Sequence, residues 1–244
     1  MMAPVNSELY NLLVTGAVLA AAVGWLRLMD ALAHRGALPQ TLSRKIIHTG
    51  TGPLFVLSWP LFGQTPLARV WAALIPLAIA LQFAAVGLGW IEDKAAVAAM
   101  TRHGEPREIL RGPLYYGLSF VVCTLAFWRS SPVGILALMI LCGGDGLADI
   151  VGRRWGKRKL PFSSQKSWVG SGAMFLGSLT FSLAMLGWFG ALGYFSFPLG
   201  WTPVLRVGAI ALAATLVEAL PFKDIDNLTL TATGVGLGML CLPH

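Results

Sequence analysis

Apolar residues gather into long runs separated by short polar connections, at roughly 9–33, 46–62, 67–91, 114–128, 133–151, 169–191 and 204–220. Most of these runs approach the ~20 residues that a helix needs to cross a hydrocarbon core, so the pattern predicts about seven transmembrane helices. A last apolar piece, roughly 228–242, is short and rich in Gly and Thr; it reads equally as an eighth span, a half-span or a helix buried in the bundle. Composition agrees with this pattern. The chain is 56% hydrophobic and 12% charged, with mean hydropathy +0.69, outside the usual range of soluble domains. The expected fold is an all-α polytopic membrane helical bundle, with residues 1–244 forming a single integral membrane domain.

Charge sets the orientation of this bundle. Basic residues favour the side from which spans are inserted, and they concentrate in three loops. Arg35, Arg44 and Lys45 lie in the first, Lys94, Arg102, Arg107 and Arg111 in the second, and Arg153, Arg154, Lys157, Arg158, Lys159 and Lys166 in the third. The opposite loops hold only Arg69, Arg129 and Arg206, so the amino terminus is expected outside and the charged loops on the cytosolic or stromal side. A net charge of +7 carried by short loops between spans fits anionic lipid head groups and nucleotide phosphates, and no nucleic-acid-binding fold surrounds it. Cys123, Cys142 and Cys241 are scattered in apolar surroundings, which predicts packing residues and neither disulfides nor a metal cluster. No cleavable targeting segment is expected, because the chain enters its first apolar run almost at once and Arg27 lies near the end of that run.

The most chemically loaded segment runs from Cys142 to Trp168. Asp145 and Asp149 are four apart, so on a helix they share a face and are suited to Mg²⁺. Gly143, Gly144 and Gly146 let a backbone or ligand approach closely, and the loop through Gly152, Arg153, Gly156 and Lys157 offers amides and charge to phosphates. Small residues for helix packing and a positive-inside loop explain the glycines and lysines as well, but they leave the two aspartates unexplained. Three further elements fall on the same expected face. In the first, Arg44 and His48 are four apart at the mouth of the second run; Arg44 and Lys45 read as phosphate ligands or as ordinary positive-inside anchors, whereas His48 already lies one turn into apolar sequence. In the second, 101–116, Pro and Gly specify a defined loop, and Arg111 sits nearest the membrane boundary. In the third, Glu218 ends an apolar run, and Asp226 and Asn227 suit either Mg²⁺ and a ribose hydroxyl or a turn before a helix.

Known nucleotide motifs narrow the reading. A P-loop fails, because the spacing from Gly152 to Lys157 is one residue short and Arg158 stands where Ser or Thr should follow. The Asp-Gly-x-x-Ala-Arg arrangement of enzymes that transfer alcohols onto CDP-linked lipids fails too, since Asp149 occupies the arginine position. The motifs that remain run nearly the whole chain: Arg44-Lys45 with His48 and 52–55; 102–116; Cys142 to Asp149 with Gly152-Arg153 and Gly156-Lys157; Lys166-Ser167-Trp168 with Gly170-Ser171; and 217–221 with Asp226-Asn227. In order and spacing they resemble the CTP-dependent polyprenol kinases, and within these the phytol and farnesol kinases of plastids and cyanobacteria.

That resemblance implies transfer of the terminal phosphate of CTP to a long-chain isoprenoid alcohol dissolved in the bilayer, with a product that feeds tocopherol and other prenyl-lipid synthesis or chlorophyll-phytol salvage. It implies that Arg44, Lys45, Asp145 and Gly152 match positions needed for activity, and it locates the protein in a plastid or bacterial membrane with its site on the cytosolic or stromal face. Asp145, Asp149 and Asp226 would then hold Mg²⁺. Arg44, Lys45, Lys157 and Lys166 would neutralise phosphate charge, and Gly144, Gly146, Gly152, Arg153, Gly156, Ser167, Arg111 and Asn227 would complete the nucleotide site. Either His48 or Asp149 accepts the alcohol proton. No obligatory protein partner is evident. Two other readings stand beside this one. A CTP:phosphatidate cytidylyltransferase shares a similar loop, but should end in His-Gly-Gly and Asp-Arg signatures where this chain has Asp226-Asn227. A transporter or lipid-binding protein would spread polar residues toward the midplane, whereas here they cluster at helix ends.

Overall fold

A segment that cannot hydrogen-bond to water must satisfy its backbone internally, and helix is the local solution. Each apolar run is helical accordingly in the computed structural model, which describes residues 7–198, 200–220 and 224–242. The helices are α1 (Glu8–His34), α2 (Gln40–Ser58), α3 (Ala68–Gly87), α4 (Lys94–Met100), α5 (Gly112–Phe127), α6 (Pro132–Met139), α7 (Asp145–Trp155), α8 (Trp168–Ala191), α9 (Trp201–Ala219) and α10 (Asp226–Cys241). Among the described residues six stretches are long and apolar enough to cross a membrane: Glu8–His34, Ala68–Gly87, Pro106–Phe127, Pro132–Trp155, Trp168–Ala191 and Trp201–Ala219. The expected second run forms α2, which is not one of the six because its first half carries Arg44, Lys45, His48 and several hydroxyls. The short last run forms α10, whose 16 residues pack on α6 and α9.

The chain divides into two compact units, Met1–Ile47 with Leu54–Trp128, and His48–Pro53 with Arg129–His244. In the first, α1 buries only Asn11, Thr15 and Met29, as expected of a helix with lipid around most of its surface. Its few polar groups act as clamps. Asn11 donates to Thr65 Oγ1 at 2.8 Å and accepts from the Gly63 amide at 2.8 Å, and the Thr15 hydroxyl reaches the Trp71 carbonyl at 3.1 Å. The connection at 101–111 is the defined loop that its Pro and Gly content predicts. The Glu108 carboxylate accepts the amides of Arg102 and His103 at 2.7 and 3.0 Å, and a 3₁₀ turn over Pro106–Leu110 leads into α5.

The second unit is built around one continuous inner helix. Every residue of α6 is buried, and a π-helical turn, Ile140–Gly144, joins α6 to α7. A helix apolar on all sides belongs in an interior, and α8, α9 and α10 surround this one. Glycines permit the close approach. A Cβ on Gly177 would sit 2.5 Å from the Gly143 carbonyl oxygen, and one on Gly234 would sit 2.9 Å from Ala137 Cα. A feature the hydropathy pattern does not predict follows α7: a two-stranded antiparallel hairpin, β1 (Lys159–Leu160) and β2 (Ser163–Ser167), that turns the chain back into α8.

Gly177→Val is expected to destabilise the fold by about 1–3 kcal/mol through overpacking and to lower the unfolding temperature in detergent. Gly172→Ala, where an added Cβ meets nothing within 4 Å, should leave that temperature unchanged or raise it, alanine being the better helix former. Equal behaviour of the two variants would contradict the packing described for α8.

Candidate active site

Charge appears in the second unit where the buried helix stops being apolar. Asp145 opens α7 directly after the π-helical turn and is only 6% exposed. A carboxylate at that depth needs a partner, and His48 supplies it. Its Nε2 lies 3.1 Å from Asp145 Oδ2 and 3.2 Å from the Leu141 carbonyl oxygen. The next turn of α2 packs on the same place, since a Cβ on Gly146 would collide with the Thr49 side chain.

A second ion pair, between a half-buried lysine and a buried glutamate, lies in the same unit. Lys166, on β2, donates its ammonium to Glu218 Oε1 near the end of α9. Glu218 is 6% exposed. Burial alone would lower the Lys166 pKa, but the Glu218 carboxylate reverses this, with smaller contributions from Asp145 and Asp226, and holds the amine above its usual range. Five charged or titratable side chains, His48, Asp145, Lys166, Glu218 and Asp226, are thereby linked electrostatically across α2, α7, β2, α9 and α10.

The remaining expected site residues are placed as follows. Asp149 shares the α7 face with Asp145, but its two oxygens lie 2.9 and 2.8 Å from Arg153 Nε one turn on, so both are engaged with each other. Asn227 is buried in the first turn of α10, with its amide 3.2 Å from Asp226 Oδ1. The Ser167 hydroxyl is buried and caps α8 by accepting the Gly170 amide at 3.1 Å, the ordinary use of serine before a helix. The glycines expected to admit a ligand stand against protein atoms. Added Cβ atoms would meet Ser178 and Met174 at Gly144, Thr49 at Gly146, Ser167 and Gly170 at Gly152, and Ser167 at Gly156. Lys157 is exposed beyond the end of α7. Arg44 and Lys45, half-buried on α2, and Arg111, exposed before α5, belong to the first unit. Pro221, quoted with the Glu218 motif, lies outside the described residues.

Mg²⁺ is usually held by one or two carboxylates together with substrate phosphates and waters. Among the described residues no three His, Cys, Asp or Glu side chains are grouped to hold an ion unaided, so Asp145, Asp149 and Asp226 form no ready-made cage. Carboxylates such as Asp145 and Asp226, whose charges both act on Lys166, would suit the shared mode, each contributing at most one or two oxygens beside those of phosphates.

Glu218 is the functional candidate that a list of expected ligands omits. Its signal in the sequence is a carboxylate at the end of an apolar run; its partner, 52 residues earlier, carries no local signal.

No protein-family model matches the chain, and no solved structure matches it. Several curated proteins do. It is 45% identical to a probable chloroplastic phytol kinase of Triticum aestivum over 87% of this chain and 71% of that one. It is 40% identical to the chloroplastic phytol kinase 1 of Arabidopsis thaliana over 90% and 72%, and 39% identical to the chloroplastic farnesol kinase of Arabidopsis thaliana over 98% and 78%. Similarity of this extent shows that the chain belongs to the phytol and farnesol kinase family.

Proposed function

We propose that this protein is a kinase that moves the terminal phosphoryl group of CTP onto the hydroxyl of a membrane-dissolved isoprenoid alcohol of the phytol class. The observation that carries the reading is the half-buried Lys166 ammonium, paired with the buried Glu218 carboxylate and within electrostatic reach of Asp145 and Asp226, in a chain whose relatives are named phytol and farnesol kinases. A bond forms from the alcohol oxygen to the γ-phosphorus, the bridge to the β-phosphate breaks, CDP leaves, and the alcohol proton passes to a base. Bound Mg²⁺ would supply charge neutralisation across the phosphates. Asp145 and Asp226 are the residues proposed to hold it. Lys166 offsets negative charge as it builds on the phosphoryl oxygens, and His48 keeps Asp145 oriented. Arg44, Lys45 and Arg111 enter on the likeness of their motifs alone, and so does CTP as donor. Chloroplastic relatives and the apolar helices favour a plastid membrane, and the basic residues of three loops favour the stromal face for the site.

Asp145→Asn should reduce phosphate transfer to phytol by about 100-fold or more while leaving the unfolding temperature near that of wild type. Label from γ-labelled CTP should appear on phytol, and label from α-labelled CTP should not enter lipid. Label from the α position in a CDP-lipid would make the protein a cytidylyltransferase, and transfer undiminished in Asp145→Asn would remove Asp145 from the site.

A raised Lys166 pKa has a defined sign. The contribution of the ammonium is fully present below the ordinary lysine value of about 10.4 and is lost only as pH climbs through the higher folded value. Rates of wild type and Lys166→Met should therefore differ by a constant factor between about pH 6 and 9. An alkaline decline inside that window, present only in wild type, would contradict the assignment.

A further inference from the structure

Glu218 is costly to keep. A carboxylate almost out of reach of water loses hydration that an ion pair only partly returns, and an apolar pair of similar volume is often as stable or more so. Its partner is unlike a structural lysine in two respects. The Lys166 ammonium lies within electrostatic reach of Asp145 and Asp226 as well as its partner Glu218, and all three favour its charged form. Its backbone is also fixed with unusual care. The Lys166 amide donates to Ser163 Oγ at 3.2 Å, Lys159 Nζ reaches the Gln165 carbonyl at 3.2 Å, and Ser167 is committed to the α8 cap. A lysine on a four-carbon stem would otherwise extend its charge toward water. Here the hairpin holds one end of the side chain and Glu218 holds the other.

We infer that Glu218 is a positioning residue for phosphoryl transfer: through the ion pair at the end of α9 it fixes the Lys166 ammonium at the polar end of this unit, where the phosphates of the nucleotide are received. The inference rests on the kinase reading of this site. Glu218 acts through Lys166, whose ammonium engages its Oε1. Its loss frees the lysine tip, so transition-state stabilisation falls more than ground-state binding does.

The test is a double-mutant cycle on the full-length protein in detergent or reconstituted membranes, using γ-labelled MgCTP and phytol. Glu218→Gln should lower kcat about 10- to 100-fold with a smaller change in KM, and Lys166→Met should lower it at least as much. Glu218→Asp, which restores the charge on a shorter stem, should recover part of the loss. Glu218→Gln placed on Lys166→Met should cost nothing further, because residues that act as a unit are not additive. Independent losses that multiply would overturn the inference, as would a Glu218→Gln protein that unfolds at lower temperature but keeps the wild-type kcat per folded molecule. Should wild type transfer no phosphate to any isoprenoid alcohol, the kinase reading falls by itself. The coupling is then read from stabilisation by MgCTP: if Glu218→Gln weakens that stabilisation only when Lys166 is present, the positioning role stands, and if it weakens it equally in Lys166→Met, the role is refuted.

Discussion

A buried glutamate held by a half-buried lysine is the constraint around which the polar end of the second unit is arranged. The Glu218 charge is not tolerable there alone. Glu218 arrives at the end of α9 and Lys166 on the strand that precedes α8, so the pair requires that helix end and that hairpin to meet. Asp226 at the start of α10 and Asp145 at the start of α7 add to the same field. The inner helix makes this possible. Its α6 half is apolar on every side and wholly buried, and its acidic residues begin only after the π-helical turn at Ile140–Gly144. Packing and chemistry are thus divided along one element.

Much of this is legible in the sequence. Runs of apolar residues near the length of a bilayer span predict helices at the right places, and the placement of Asp145 and Asp149 on one face of a helix needs only their spacing. Glu218 at the end of an apolar run signals a paired or functional carboxylate by the same cost argument that explains it in the fold. The order of motifs identifies the family. What could not be read is pairing at a distance. No local pattern links Lys166 to Glu218, 52 residues apart, or His48 to Asp145. The hairpin was invisible because two short polar strands carry no alternation of apolar residues for a period-2 signal to use.

The glycines show where a local argument is incomplete. Near two aspartates and a basic loop, Gly144, Gly146, Gly152 and Gly156 suggest room for a ligand, yet protein atoms stand at each of them. Their absent side chains let α7 approach α8 and the Thr49 turn of α2, and that approach sets where Asp145 lies. Arg153 is similar. Its charge suggests a phosphate ligand, but one helical turn puts it on Asp149. Glycine and arginine thus contribute to the site by fixing its carboxylates.

The Lys166–Glu218 pair is kept for chemistry and not for stability on this account. Replacing both partners, Lys166→Met with Glu218→Leu, tests it most directly by comparing unfolding temperature and phosphate transfer in one protein. An apolar pair of similar volume should leave the unfolding temperature equal to or above that of wild type, with transfer to phytol lost. A protein that unfolds at much lower temperature, yet transfers phosphate at the wild-type rate per folded molecule, would show that the pair holds the fold together and leaves the reaction to other residues.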